Sequence, residues 1–178
     1  MAVVLPPLVQ RRSPNQSSRH GTHVDLLVWH ETAGAYAGAV SWLCNPAAQA
    51  SAHLVVREDG LEATQLVPLG QKAWHAAAYN PRSVGVEHAN TTAKGYASLH
   101  QLEVSARIFG WLCLHLQVPP RWARGGVGPG VCRHSDLGAA GGGHLQCGPD
   151  LSGWLHFLEL LHAELARGGF RPDWAHYA

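Results

Sequence analysis

A strand-like apolar run early in the chain constrains the fold more than any other feature. Residues 24–30, Val-Asp-Leu-Leu-Val-Trp-His, are bounded by Gly21 and Gly34. A short apolar run between turn-forming residues predicts a buried strand. The strand ends on His30, and a rigid strand end can hold a neutral imidazole as a metal ligand or general base. Most lone histidines are instead core residues bonded to a backbone carbonyl, so a functional assignment of His30 requires partners.

Charge and cysteine content exclude several classes of protein. The 178-residue chain has a formal net charge of +1, so no strong field favours nucleic acid or an anionic membrane. No run approaches the roughly 20 apolar residues of a membrane span, and residues 1–8 lack the basic start of a secretory signal peptide. The chain has four cysteines, Cys44, Cys113, Cys132 and Cys147. They are too few and too widely spaced in the sequence for a disulfide scaffold. Their thiols are therefore expected to be free or metal-bound.

Alternating and apolar runs predict further strands. Residues 51–56 and 61–67 flank an Asp-Gly turn, which is a strong hairpin signal. Residues 84–89 predict another strand, launched from the turn at Asn80-Pro81. Residues 73–75 fit a short strand or a loop edge.

Helical periodicity predicts one short and two long helices. Residues 36–44 form the short helix, and residues 98–101, Ser-Leu-His-Gln, have the capping-box spacing that opens a long one. That helix ends before Pro119. The last helix opens near Asp150 and stops at residues 168–169, with one apolar stripe made of Leu151, Leu155, Leu158 and Leu165.

Strands mixed with helices, and at least one hairpin, predict an α/β fold: a single domain with a mixed central β-sheet flanked by helices. Residues 10–22 are polar and turn-forming. We therefore assign residues 1–20 to an N-terminal lead-in and residues 21–178 to the domain itself.

A glycine-rich segment between the long helices concentrates potential metal ligands. Residues 125–149 hold Cys132, His134, Asp136, His144 and Cys147. Such a segment cannot build its own core, and this favours an active-site or metal-binding loop over a plain connection. A catalytic zinc ion takes three protein ligands and keeps one open position. The His-Glu-x-x-His signature is absent, because Gly34 stands at its second histidine, so a zinc site must combine distant segments.

Six short motifs in a fixed order resemble the zinc-dependent N-acetylmuramoyl-L-alanine amidases of type 2. This family includes phage endolysins and is related to peptidoglycan recognition proteins. The resemblance runs from about His20 to Trp154, and the six motifs are specific only together. They are Val-Trp-His-Glu-Thr-Ala at 28–33, Ser-Ala-His-Leu-Val-Val at 51–56, Asp-Gly at 59–60, Ala-Trp-His-Ala at 73–76, Ser-Val-Gly-Val-Glu at 83–87 and His-Ser-Asp at 134–136.

The resemblance implies a zinc site with His30 and His134 as its first two ligands. The third ligand in the family is a Cys or Asp at a Pro-Gly turn soon after the second histidine. Here Cys147 is the chosen ligand, with Asp150 and His144 as alternatives. The chain departs from the family pattern by reading Gly-Pro after Cys147 and by a longer separation from His134.

The resemblance also implies the catalytic groups. Glu87 occupies the position of a catalytic glutamate, which would accept a proton from water and deliver one to the leaving amine; the alternative is a carboxylate in a surface salt bridge. Many members carry a lysine just before the third ligand, but Lys72 and Lys94 are both remote from Cys147. We predict that His144 replaces this lysine beside the oxyanion, the alternatives being a ligand or a spectator.

Three residues are predicted to bind substrate: His53, Trp74 and His75, whose motifs line the cleft in the family. Trp74 could stack on a sugar or a peptide stem, although a core position fits a tryptophan equally well. His88, on the opposite strand face from Glu87, is expected to be structural.

The resemblance implies a zinc hydrolase that cuts the amide between N-acetylmuramic acid and L-alanine in bacterial peptidoglycan. Zn²⁺ would acidify water and polarise the scissile carbonyl. Without a signal peptide, the expected context is a phage-type endolysin, made in the host cytoplasm and acting on the cell wall. We expect a monomer that binds neither nucleic acid nor a membrane.

Two other hypotheses remain open at this point. The same fold could bind muropeptides without cutting them, as some peptidoglycan recognition proteins do. Alternatively, Cys132, His134, His144 and Cys147 could form a local structural zinc knuckle in a nucleic-acid binder. The short Cys132–His134 spacing and the lack of a basic patch disfavour this second hypothesis.

Overall fold

A six-stranded mixed sheet forms the centre of the molecule in the computed structural model, which describes residues 6–167. Its strands lie in the spatial order β1-β5-β4-β7-β3-β8, and a separate antiparallel pair joins β2 to β6. The strands are β1 Leu8–Gln10, β2 Gln16–Ser18, β3 Leu26–Glu31, β4 Leu54–Val56, β5 Ala63–Gln65, β6 Gln71–Ala73, β7 Ser83–His88 and β8 Gly130–Arg133.

The predicted elements near the centre are confirmed. β4 and β5 form the antiparallel hairpin, whereas β4, β7, β3 and β8 run parallel to one another. The helices are α1 Tyr36–Leu43, α2 Leu99–Leu116 and α3 Leu151–Arg167. Ser98 caps α2 by accepting the N–H of Gln101, as the capping-box spacing predicts.

Strand pleating divides β3 between two faces of the sheet. Leu27 and Trp29 point into the main core, where Trp29 packs against Phe109 of α2 and Phe157 of α3. Leu26 and Val28 point to the other face. Successive side chains alternate, so His30 shares the face of Leu26 and Val28, away from α2 and α3. The strand therefore presents His30 on the side opposite to the large helices.

The apolar stripe predicted for α3 is correct for Leu158 and Leu165, which pack against the main core, and wrong for Leu151 and Leu155. The buried side chains are Trp154, Phe157, Leu161 and Glu164, whereas Leu151 and Leu155 are 56% and 45% exposed. The two aromatic side chains offer more apolar area than the leucines and turn their own face toward the core. The predicted end of this helix at residues 168–169 lies outside the described residues, as do residues 1–5.

Part of the segment predicted as an N-terminal lead-in, including β1 and β2, is integrated into the fold. β1 pairs in parallel with β5, and β2 pairs with β6. The intervening Ser13 and Asn15 are buried, with the Ser13 hydroxyl donating to Leu43 O at 2.5 Å. Backbone pairing and side-chain hydrogen bonds attach this polar segment to the domain. A segment held in this way does not need a pattern of apolar residues in its sequence.

The predicted fold class, an α/β domain with a mixed central sheet flanked by helices, is confirmed. No helix within residues 6–167 has the length and apolar content that crossing a bilayer requires.

Candidate metal centre

Three potential metal ligands converge at one edge of the sheet. His30 lies at the end of β3, His134 directly follows β8, and Cys147 lies in the segment before α3. One donor atom from each side chain lies within 4.8 Å of the other two. β3 and β8 are parallel neighbours, so their carboxyl ends deliver the two histidines to the same place. The structure thus brings together the three residues predicted as ligands.

Hydrogen bonds set which ring nitrogen of each histidine faces the group. His134 Nε2 lies 2.8 Å from Gly141 O, and only an N–H can satisfy that contact, so Nδ1 keeps the free lone pair. His30 turns its Nδ1 toward the other side chains, at 4.0 Å from Cys147 Sγ and 4.0 Å from Glu87 Oε1. Both imidazoles therefore offer Nδ1 to the centre.

Burial sets the protonation of these groups. It lowers the pKa of His134 and holds the pKa of His30 well below its usual value, helped by the neighbouring imidazoles of His75 and His134. Both rings are accordingly neutral at pH 7, the form that ligates metals. Burial, and secondarily the Glu87 carboxylate, raises the pKa of the Cys147 thiol.

Glu87 stands beside the three donors. It lies directly across from His30 in the β3–β7 register and on the same sheet face. Burial raises its pKa to about 8, with a smaller contribution from Glu31. Its buried Oε2 has no hydrogen-bond partner among the described residues. A buried carboxylate oxygen without a partner is rare in a folded protein and points to a functional role.

The donor set fits zinc. Two neutral imidazoles and one thiol are the nitrogen and sulfur ligands that zinc prefers, and three protein ligands leave one position open. Ligands of one tetrahedral zinc ion, at bond lengths of about 2.0–2.3 Å, lie about 3.5 Å apart. The separation of 4.0 Å between Cys147 Sγ and His30 Nδ1 is close to this value.

Glu31 anchors the segment that carries Cys147. Its backbone N–H donates to Cys147 Sγ at 3.4 Å, and its carboxylate accepts from the backbone N–H of Gly148 and from Asn90 Nδ2 at 2.6 Å. On the other side, Ser135 N donates to Cys147 O at 3.0 Å. These contacts fix Cys147 against the ends of β3 and β8.

The alternative third ligands occupy other places. Asp150 lies at the start of α3, where Oδ1 accepts the Gly153 N–H at 2.7 Å, a capping role. His144 is exposed and stacks on His134 with ring centroids 4.7 Å apart. It lines the cleft beside the donors without belonging to the three-residue group.

Two neighbouring cavities lie beside the donors. A cavity of about 290 Å³ is lined by Trp74, Ser51 and Gly142 as well as by the site residues. A neighbouring cavity of about 540 Å³ is lined by Ala33 and Leu145. Both cavities share Glu31, His144 and Cys147. The two cavities therefore adjoin at the candidate metal centre.

The residues predicted to bind substrate separate into two groups. Trp74 and His75 line the cleft. His53 is fully buried, so the expectation that it contacts substrate is corrected. Its Nδ1 accepts the Gly85 N–H at 3.0 Å, so its Nε2 carries the proton and donates to Gln71 O at 3.1 Å. These contacts tie β4 to β7 beneath the cleft, which is a structural role.

Two other sequence hypotheses are resolved by burial. His88 is fully buried and stacks on Trp29 with ring centroids 3.4 Å apart, so it is structural as predicted. Cys132 is fully buried in an apolar cluster with Leu26 and Val28. It does not join the ligand group within residues 6–167, which rules against a local zinc knuckle.

Sequence reasoning missed the roles of Glu31 and Gly141. Glu31 follows His30 in the quoted motif, and this adjacency is the one available signal for its contact with Cys147. Gly141 belongs to the run of three glycines at 141–143 in the glycine-rich segment, and its carbonyl orients His134. Backbone contacts of this kind carry no side-chain signature.

The fold and the site define a class: α/β proteins with a His-His-Cys centre at the carboxyl edge of the sheet. Residues 20–148 match the Amidase_2 family, described as N-acetylmuramoyl-L-alanine amidase, and the chain belongs to this family. It is 35% identical over 105 residues to N-acetylmuramoyl-L-alanine amidase A of Achromobacter lyticus, a match that covers 57% of this chain. The same match spans 59% of that relative's length.

Solved structures show the same fold. The hydrolase AmiA of Staphylococcus aureus, in complex with its ligand, matches with a TM-score of 0.73 at 21% identity, covering 96% of this chain and 89% of that one. A mutant endolysin from Bacillus subtilis matches with a TM-score of 0.65 at 20% identity, covering 88% of this chain and 99% of that one.

Proposed function

We propose that this chain is a peptidoglycan hydrolase that cleaves the amide between N-acetylmuramic acid and L-alanine. The observation that carries the proposal is the convergence of His30, His134 and Cys147 beside the unpaired carboxylate of Glu87. This convergence lies in a chain of the N-acetylmuramoyl-L-alanine amidase family.

His30, His134 and Cys147 would hold a zinc ion. When bound, zinc supplies Lewis acidity, which acidifies water and polarises the scissile carbonyl. The neutral imidazoles need no deprotonation, and Glu31 and Ser135 hold the Cys147 segment in place before the ion arrives. Such preorganisation keeps the ligand geometry precise.

Glu87 acts as the general base and then as the general acid. Its carboxylate accepts a proton from the attacking water and delivers it to the nitrogen of the leaving L-alanine. A general acid–base group works best with a pKa near the operating pH, and burial brings the pKa of Glu87 to about 8. The absence of a partner for Oε2 among residues 6–167 leaves this oxygen free for the reaction.

His144 donates a hydrogen bond to the oxyanion that forms on the scissile carbonyl. It lines the cleft next to His134 and takes the place of the lysine found in many family members. Trp74, half-buried with its Nε1 donating to Ser17 Oγ at 3.0 Å, offers a fixed aromatic surface to the sugar or stem peptide.

The biological context proposed for this activity is a phage-type endolysin. It would be made as a monomer in the host cytoplasm and delivered by other means to the cell wall, where it would act. The similarity in fold to a Bacillus subtilis endolysin supports this context.

The test is the release of stem peptides from purified sacculi. Glu87→Gln keeps the shape of the side chain but removes the base, so kcat should fall by about 10²–10⁴-fold with zinc content unchanged. Glu103→Gln, on the partly exposed surface of α2, is the matched control and should keep full activity.

Full activity of Glu87→Gln would reject the assignment of Glu87. Binding of sacculi by the zinc-loaded wild type without any release of peptide would replace the hydrolase with a recognition module of the same fold.

A further inference from the structure

A chain of hydrogen bonds continues from His30 away from the metal centre. His30 Nε2 lies 2.9 Å from His75 Nδ1, and His75 Nε2 lies 3.1 Å from Ser83 Oγ. The Ser83 hydroxyl in turn lies 2.7 Å from Tyr79 O. His75 therefore occupies the position directly behind the first metal ligand.

The last contact of this chain determines the direction of all the others. A carbonyl oxygen only accepts, so the Ser83 hydroxyl donates its proton to Tyr79 O. Ser83 Oγ then accepts from His75 Nε2–H. A neutral imidazole carries one N–H, so Nδ1 of His75 is an acceptor and receives the Nε2–H of His30. The free lone pair of His30 consequently lies on Nδ1, which faces Cys147 and Glu87.

The surrounding backbone holds His75 in this orientation. Asn80 Oδ1 accepts the N–H of His75 at 2.9 Å and the N–H of Ala76 at 2.6 Å. The ring lies over Gly85 of β7, where a Cβ would approach His75 Nδ1 to 2.5 Å. Glycine at position 85 therefore leaves room for the ring between β7 and His30.

We propose that His75 is a positioning residue of the metal centre, which accepts the Nε2–H of His30 and so holds His30 as an Nδ1 ligand. This inference rests on the proposed zinc centre and replaces the prediction that His75 binds substrate. Partners of metal-bound histidines typically contribute about 10–100-fold to metal affinity by fixing the tautomer and orientation of the ring. Here a second histidine takes the role that a carboxylate or carbonyl often has.

Two substitutions isolate the acceptor at Nδ1. In His75→Asn, Oδ1 is bonded to Cγ as Nδ1 is, so the acceptor for His30 is retained. His75→Leu fills similar space but has no acceptor, and both variants lose the contact with Ser83. Zinc affinity, measured by competition with a chromophoric chelator, should fall by about 10–100-fold in His75→Leu and stay within a few-fold of wild type in His75→Asn.

The tautomer itself is measured on the metal-free protein by long-range ¹H–¹⁵N NMR of the imidazoles. Wild type and His75→Asn should show His30 protonated on Nε2, and His75→Leu should lose this preference. Thermal unfolding of the metal-free variants identifies any variant that does not fold, in which case the wild-type tautomer and His75→Asn decide the question.

Equal loss of zinc affinity in both folded variants would overturn the proposal, as would wild-type affinity in His75→Leu. A proton on Nδ1 of His30 in the metal-free wild type would also overturn it. Failure of the wild type to bind zinc would instead reject the proposed metal centre, while the tautomer measurement would still report on His75.

Discussion

The three proposed ligands differ in whether they must release a proton before they can bind a metal. Burial lowers the pKa of His30 and of His134, so both rings are already neutral at pH 7. Burial and the nearby Glu87 carboxylate raise the pKa of Cys147, so its thiol keeps its proton in the metal-free protein. The thiolate is the ligating form, so ligation by Cys147 requires the release of a proton.

Zinc binding is therefore expected to release at least one proton at pH 7. Since the thiol proton competes with the metal, the apparent zinc affinity should rise about tenfold per pH unit between about pH 6 and pH 8. Isothermal titration calorimetry in two buffers with different ionisation enthalpies measures the number of protons released.

The matched variants are Cys147→Ala and Cys44→Ala. Cys147→Ala should bind zinc more weakly and release one proton fewer, whereas Cys44→Ala, at the end of α1, should behave as wild type. Equal proton release from wild type and Cys147→Ala would contradict ligation by the thiol.

The residues of the family motifs could not all be assigned correctly from the sequence. His30, His134, Cys147 and Glu87 could be proposed together, because their motifs carry the family resemblance, and the structure brings them together. His53 was misassigned although it belongs to the same set of motifs. Its hydrogen-bond partners, Gln71 and Gly85, lie 18 and 32 residues further along the chain, and such contacts leave no local pattern.

At the scale of the elements, the connection between β7 and α2 packs against the segment that carries Cys147. Gly95 has φ +78°, and a Cβ there would lie 2.4 Å from the carbonyl carbon and oxygen of Gly148. Its carbonyl also accepts from Trp29 Nε1 at 3.3 Å, which fixes it to β3. Gly95 cannot retreat without breaking this contact, so an added side chain must displace Gly148, next to Cys147.

Gly95→Ala is therefore expected to weaken zinc binding by about tenfold, the lower end of the range for residues that support metal ligands. It should also lower the free energy of unfolding by more than the roughly 1–2 kcal/mol that left-handed backbone costs a residue with a Cβ. Chelator competition and urea unfolding of the zinc-free protein measure the two effects separately.

Gly21→Ala is the control for backbone strain. Gly21 has nearly the same φ, +79°, but a Cβ added there would have no atom within 4 Å. The substitution should cost only the backbone strain and leave zinc affinity unchanged. Equal zinc affinity in Gly95→Ala and Gly21→Ala would show that the packing of Gly95 does not position Cys147.

Elements with a strong local signal were predictable, and elements held by distant partners were not. The β4–β5 hairpin and the cap of α2 depend on the Asp-Gly turn and on Ser98, which act within a few residues. β8 was missed because its four residues lie among glycines and become a strand only by pairing with β3. β1 and β2 were missed for the same reason, because their partners lie more than 50 residues away.

At the scale of the whole molecule, several histidines are buried in the neutral form. Burial lowers the pKa of His53 to about 3 and that of His88 to about 3, and it holds the pKa of His30 and that of His75 well below their usual value. Glu87 acts in the opposite direction, because burial raises its pKa to about 8. The pH dependence of folding is the difference between these two effects.

The direction in which the free energy of unfolding changes with pH depends on whether the folded or the unfolded state binds more protons. Unfolded histidines protonate below about pH 6.5, whereas these four buried ones stay neutral in the folded state until far lower pH. Glu87 keeps its proton in the folded state between about pH 4.5 and pH 8 and loses it on unfolding, which offsets one histidine. Near pH 5.5 the unfolded state therefore binds about three more protons, and the free energy of unfolding should fall by about 4 kcal/mol per pH unit on acidification.

Urea unfolding of the zinc-free protein between about pH 7 and pH 5 measures this slope. His88→Phe preserves the stack on Trp29 but removes one buried imidazole, so its slope should be smaller by about 1.4 kcal/mol per pH unit. His156→Gln, on the exposed face of α3, is the control and should keep the wild-type slope. A free energy of unfolding that stays constant or rises on acidification would show that the buried histidines do not control the stability of this fold.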